Sequence, residues 1–103
     1  MVIWTDNAIS NITEFIDEAN EGTEQVAKKY MQKLIDYAEI LDDMKKMGKK
    51  MPYIISNYEV RQVLCKKHRI IYTIDKDSVV ILAVIHTRLD INKALKRLNR
   101  GEK

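Results

Sequence analysis

The chain is predicted to be an α+β domain of order β-α-α-β-β-β-α, with a helix hairpin packed on one face of a small, mainly antiparallel sheet. Two stretches in the N-terminal half carry apolar residues at i, i+3, i+4 spacing, which is helical periodicity. Three apolar stretches rich in β-branched residues follow between residues 58 and 86, separated by short charged turns. Turns that short leave no room for crossover helices, so these strands are expected to form an antiparallel meander. At 103 residues the chain makes one domain, residues 1–103, with a real but modest core.

Val2-Ile3-Trp4-Thr5 opens the chain as a short strand. Thr5 or Asp6 can cap a helix over Asn7 to Asn20, whose stripe is Ala8, Ile9, Ile12, Phe15, Ile16 and Ala19. Glu21-Gly22 ends it, because glycine tolerates the left-handed turn. Thr23 caps a second helix, with Glu24 in its first turn where the helix dipole favours an anion. Its stripe runs Ala27, Tyr30, Met31, Leu34, Ala38, Leu41 and Met44, which extends the helix to about Lys46. Neither helix is stable alone, so both stripes need the sheet. Met47 to Asn57 reads as a loop, broken by Gly48 and Pro52 and crowded by Lys45, Lys46, Lys49 and Lys50. Tyr58 to Cys65 is a strand, with Glu59 and Arg61 on the face opposite Tyr58 and Val60. Lys66-Lys67 is a turn, His68 to Ile74 a strand, and Asp75-Lys76-Asp77 a turn. Val79 to His86 is apolar on both faces until His86, so it is expected at the centre of the sheet. Asp90 caps a last helix over Ile91 to Leu98, with Ile91, Ala94, Leu95 and Leu98 inward and Lys93, Lys96, Arg97 and Arg100 outward.

The composition, 46% apolar and 32% charged, is that of an ordinary soluble globular protein. Cys65 is the single cysteine; it excludes an intramolecular disulfide and fits a reducing, cytoplasmic compartment. No apolar run approaches the roughly 18 residues of a membrane span, and no secretory signal is expected. Two distant histidines and one cysteine make no convincing metal site, and there is no glycine-rich phosphate loop, so no metal or cofactor is expected. The charge is divided. Residues 1–43 hold three basic against ten acidic residues, whereas residues 44–103 hold fifteen basic against five acidic. The basic half invites an anionic partner.

Four segments, in order and naturally spaced, resemble the RelE/ParE superfamily of toxins from bacterial type II toxin–antitoxin systems. Val60-Arg61-Gln62-Val63 and His68-Arg69-Ile70-Ile71-Tyr72 resemble its paired "R-E-L … Y-R-I-I-Y" strands. Val79 to Asp90 resembles its closing strand, which in the ParE-like branch ends "V-x-H-x-R-R-D"; here His86 and Arg88 are kept and Leu89 replaces the second arginine. Trp4-Thr5 before an amphipathic helix resembles its opening. Gln62 stands where an acid is common, and the loop from Met47 departs from the usual glycine-rich one. The resemblance implies a growth-inhibiting toxin silenced by a cognate antitoxin protein. It implies one of two targets: DNA gyrase, inhibited without chemistry in the ParE-like manner, or the ribosome with its mRNA, cut in the RelE-like manner. The closing His86-x-Arg88 and the long hairpin lean towards the ParE-like branch.

Metal-free RNA cleavage needs a base for the 2′-hydroxyl, cations for the crowded phosphorane and an acid for the leaving oxygen. Arg61 and Arg69 suit phosphate clamping, because guanidinium forks match phosphate oxygens. His86 can serve as acid or base, Glu59 is a second base candidate, and Arg88 completes the catalytic candidates. Lys49, Lys50, Lys66 and Lys67 are candidates for nucleic-acid backbone contacts, and Tyr72 or Tyr58 for stacking on a base. Each has a plainer reading. Arg61 can pair with Glu59 or Asp90; Arg69 can be a solvated strand-end charge. A histidine that closes a buried strand is more often structural than catalytic. His68, in a turn, is expected to be exposed, and the lysine-rich loop to be a solvated one. A different class also stands: a nontoxic nucleic-acid-binding module that uses the same basic half.

Overall fold

The computed structural model of the chain describes residues 1–18, 23–55, 58–90 and 93. Seven elements follow in order: β1 (Val2–Trp4), α1 (Asp6–Asp17), α2 (Glu24–Ile40), β2 (Lys49–Ile55), β3 (Tyr58–Cys65), β4 (His68–Asp75) and β5 (Ser78–His86). The strands form one five-stranded sheet in the order β1-β5-β4-β3-β2. β1 runs parallel to β5, and the other pairs are antiparallel. The helix hairpin covers one face. There Ala8, Met31, Leu34, Ala38 and Leu41 meet Val63, Cys65, Ile70, Tyr72, Val79, Ile81 and Val84 in the main core. A second cluster on the other face joins Met51, Val60, Ile71, Ala83 and Ile85.

Local chemistry explains how α1 is seated. The Thr5 hydroxyl accepts from the Ala8 amide and caps the helix, while donating to the Ile81 carbonyl at 2.8 Å. Between Ile71 and Tyr72 the β4–β5 register slips, so β5 carries an extra residue at Leu82. Such a bulge leaves backbone groups without ladder partners. Two asparagines one helical turn apart on α1 supply them: Asn7 donates to the Leu82 carbonyl at 2.9 Å, and Asn11 accepts from the Val84 amide at 3.0 Å.

Three expectations change. The segment Met47 to Asn57 is not a loop; it contains β2, an edge strand paired with β3 and irregular between Lys50 and Ile54. Edge strands tolerate lysine and proline, since one row of their backbone groups faces water. β5 is not central. That place belongs to β4, and β5 has β1 at its other side. Helix α2 ends at Ile40, not Lys46, and the chain continues through successive turns with Leu41 still buried. The helix expected over Ile91 to Leu98 lies outside the described residues except for Lys93, which is helical and donates its amide to the Asp90 carboxylate at 3.4 Å. No helix among the described residues is long and apolar enough to cross a membrane.

Candidate functional site

Strand alternation divides the expected site residues. Arg61 lies opposite Tyr72, in step with Val63 and Cys65, so it stands on the helix-covered face. Its guanidinium donates to the Gly48 carbonyl at 2.8 Å and the Lys46 carbonyl at 3.4 Å. Tyr72 is 0% exposed. Its hydroxyl donates to the Lys45 carbonyl at 2.7 Å and accepts from the Gly48 amide at 2.8 Å. Burial of the phenol pushes its pKa up. The expectation that Tyr72 stacks on a base is therefore corrected: a ring without exposed surface has no face to offer. Both residues hold the turn between α2 and β2. Gly48 is required there, because a Cβ would lie 2.5 Å from the Tyr72 hydroxyl oxygen and 2.9 Å from the Gln62 carbonyl.

Arg69 stands on the opposite face, across from Leu64 and Ile85. It donates to the Gln62 side-chain oxygen at 3.0 Å. It lines a cleft of about 400 Å³ with Tyr37, Met47, Lys49, Gln62 and Leu64, a lining with two cations and no acid. Lys50 pairs with Glu59 at 2.9 Å on exposed surface, and this contact holds the Glu59 carboxyl below the usual carboxylate range. Glu59 is thus a weak base candidate. Lys66 and Lys67 are exposed in the β3–β4 turn, Lys66 with a left-handed φ of 56°.

The other end of the helix-covered face holds an aromatic cluster that sequence reasoning passes over. His68 is 4% exposed, not solvated as expected. It starts β4 two residues before buried Ile70, so the period of the strand already puts it on the core face. The Lys67 amide donates to the Tyr30 hydroxyl at 3.0 Å, and that hydroxyl contacts His68 Nδ1 at 2.9 Å. In the tautomer that carries its proton on Nε2, Nδ1 accepts the hydroxyl's proton while the hydroxyl oxygen accepts from the Lys67 amide. Phe15 meets the His68 ring edge-on at 5.2 Å, and His86 at 5.1 Å. Burial, reinforced by His86, lowers the His68 pKa from 6.5 to about 4. His86 lies directly across from His68, half-buried, with Nδ1 accepting from the Arg88 amide at 3.0 Å. Phe15, Tyr30, Lys67 and both histidines line a pocket of about 510 Å³.

The structure thus joins His86 to Arg88 only through the Arg88 backbone amide, and separates Arg61 from Arg69 by a whole sheet. The four catalytic candidates do not converge on one face. Burial raises the Cys65 pKa, which makes the thiol a poor nucleophile. Among the described residues, no three His, Cys, Asp or Glu side chains come together as metal ligands.

The family model described as the ParE toxin of the type II toxin–antitoxin system parDE matches residues 2–91. The chain belongs to the ParE toxin family. The match spans both helices and all five strands, so the family assignment and the fold describe the same unit. Among solved structures, the chromosomal ParDE toxin–antitoxin system from P. aeruginosa is similar, with a TM-score of 0.68 at 16% sequence identity, covering 82% of this chain and 92% of that one. At that identity the likeness speaks for the ParE-like fold alone. No curated protein matches the chain in sequence.

Proposed function

We propose that this ParE-family chain stops growth by binding DNA gyrase, without chemistry of its own, and that a cognate antitoxin silences it. The observation that carries the reading is the separation of the cations within a ParE-family fold. Arg61 is spent on backbone carbonyls, Arg69 lies on the opposite face, and His86 sits at the far end. Phosphoryl transfer needs clamp, base and acid around one phosphorus atom. Contact inhibition of a protein target needs only a complementary surface.

The second reading, ribosome-dependent mRNA cleavage, draws on His86, whose Nδ1 is fixed as an acceptor beside Arg88 and which shares a pocket with Lys67. The experiment that separates the two combines a supercoiling assay on purified gyrase with mapping of mRNA 5′ ends in a purified translation reaction. Gyrase inhibition with an unchanged transcript is expected. New 5′ ends inside codons, lost in Arg69→Ala, would establish the nuclease instead. Salt-sensitive binding to free nucleic acid with neither effect would mark the nontoxic module.

The antitoxin is expected to place acidic residues over Arg69 and Arg88 and apolar ones along the hairpin, where Ile9 and Val26 are exposed. Undiminished affinity of the Arg69→Ala, Arg88→Ala double variant for its antitoxin would show that charge masking is not the mode.

A further inference from the structure

The turn between α2 and β2 is held far more firmly than a solvated connection requires. The Leu41, Asp42, Asp43, Met44 and Met47 amides donate back into successive turns, to Ala38, Glu39, Ile40 and Met44 carbonyls at 3.0–3.1 Å. Leu41 anchors it in the core at 0% exposure. Tyr72 bridges Lys45 and Gly48 from below, Arg61 ties down the Gly48 and Lys46 carbonyls, and Lys45 donates to the Asp42 carbonyl at 2.5 Å. The Met1 ammonium also pairs with Asp42. On this fixed backbone stand three large apolar side chains in water: Ile40 at 46% exposure, Met44 at 53% and Met47 at 38%. Exposed apolar groups cost nothing singly, but three on one short, rigid support offer a partner apolar area to cover.

Lys46 and Lys49 are exposed, and Lys49 shares with Met47 the cleft whose lining contains no acid, while Lys46 lines a second depression with Glu59 and Arg61. Glu39 is exposed in the last turn of α2, and Asp43 is exposed in the turn itself. Lys45 and Lys50 are already paired, with Asp42 and Glu59. Methionine fills irregular apolar depressions well, and a preordered backbone loses little entropy on docking.

We propose that this turn is a preformed contact surface for a folded protein target, in which Met44 and Met47 enter an apolar depression rimmed by carboxylates that meet Lys46 and Lys49. A side-chain set displayed on a held backbone suits a partner that brings its own groove, and this favours the target over a wrapping peptide. The proposal rests on the gyrase reading only for the partner's identity.

The test compares Met47→Asp and Lys46→Glu with Lys29→Glu, a charge change matched to Lys46→Glu but on an exposed position of α2, in supercoiling by purified gyrase. Thermal unfolding first confirms that each variant is folded. Met47→Asp and Lys46→Glu are expected to raise the half-inhibitory concentration at least ten-fold, and Lys29→Glu to leave it within two-fold. Two-fold or smaller changes in the turn variants would overturn the proposal. If the unaltered protein does not inhibit gyrase, the gyrase reading fails, and growth arrest on expression decides the turn. Arrest lost in Met47→Asp and kept in Lys29→Glu upholds it; arrest kept in both, or absent with the unaltered protein, overturns it.

Discussion

At one end of the helix-covered face the Tyr72 hydroxyl accepts from the Gly48 amide and donates to the Lys45 carbonyl; at the other the Tyr30 hydroxyl accepts from the Lys67 amide and hydrogen-bonds His68 Nδ1. Both phenols link one backbone amide to a second polar group. The second groups differ in kind. A carbonyl cannot titrate, so the Tyr72 relay holds its turn at any pH the protein survives. An imidazole can titrate, and burial favours the neutral form of His68, so the Tyr30 end is the one that acid strains. The same tyrosine chemistry therefore gives one rigid end and one acid-sensitive end.

The largest expected effect breaks the rigid end. Gly48→Ala drives a methyl group into the Tyr72 hydroxyl and the Gln62 carbonyl, and the carbonyl belongs to paired backbone. Overpacking of this kind costs about 2–3 kcal/mol, or about 10–20 °C in Tm for a domain of this size. Thermal unfolding followed by circular dichroism measures it, and a loss of only a few degrees would mean that the turn yields.

Removing one oxygen from each relay sharpens the contrast. Tyr72→Phe strands a buried amide and a carbonyl and is expected to cost about 2–3 kcal/mol. Tyr30→Phe, at a half-buried site that water can reach, is expected to cost about 1 kcal/mol. Urea titrations of the two variants side by side give the ranking; equal losses would erase the distinction.

Acid separates the ends next. The unfolded chain protonates His68 near 6.5, the folded chain only near 4. The unfolded state therefore binds more protons in that window, and stability falls as pH drops from about 6.5 towards 4. The loss is expected to be about 1–2 kcal/mol, allowing for solvent screening beside an open pocket. Asp42 and Glu59, whose pKa values are lowered, contribute stability that is lost only at lower pH, as they protonate. In His68→Gln the slope between pH 6.5 and 4.5 should flatten, while in Tyr72→Phe it should persist. A slope unchanged by His68→Gln would place the sensitivity elsewhere.

The smallest expected effect is at the exposed Lys50–Glu59 pair. Lys50→Met should change stability by less than about 0.5 kcal/mol, because surface ion pairs gain little against water. A larger loss in urea unfolding would give this pair a share in seating β2.

Much of this was legible in the residues. The helix hairpin follows from two clean apolar stripes and from Thr5, which caps α1 as its position suggests. The β3–β4–β5 meander follows from short charged turns. β2 was hidden because lysine, glycine and proline argue against a strand, although an edge strand accommodates all three. The end of α2 was hidden because Leu41 keeps the helical stripe going after the helical backbone stops. At the candidate site, residue types announced a basic surface, but type does not tell which sheet face a cation occupies. Counting in twos from buried Ile70 would have placed His68 in the core. No count would have predicted that Arg61 is taken up by the Gly48 carbonyl, because that depends on the turn folding back over β3.

The inhibition of gyrase by contact that we propose has a stoichiometric signature. Increasing amounts of the purified chain would be titrated against a fixed concentration of gyrase well above the binding constant, with supercoiling rate as the readout. A contact inhibitor predicts a linear fall that ends near equivalence, unchanged in the His86→Ala variant. Complete loss of activity at a small fraction of equivalence, or no loss at excess, would contradict it.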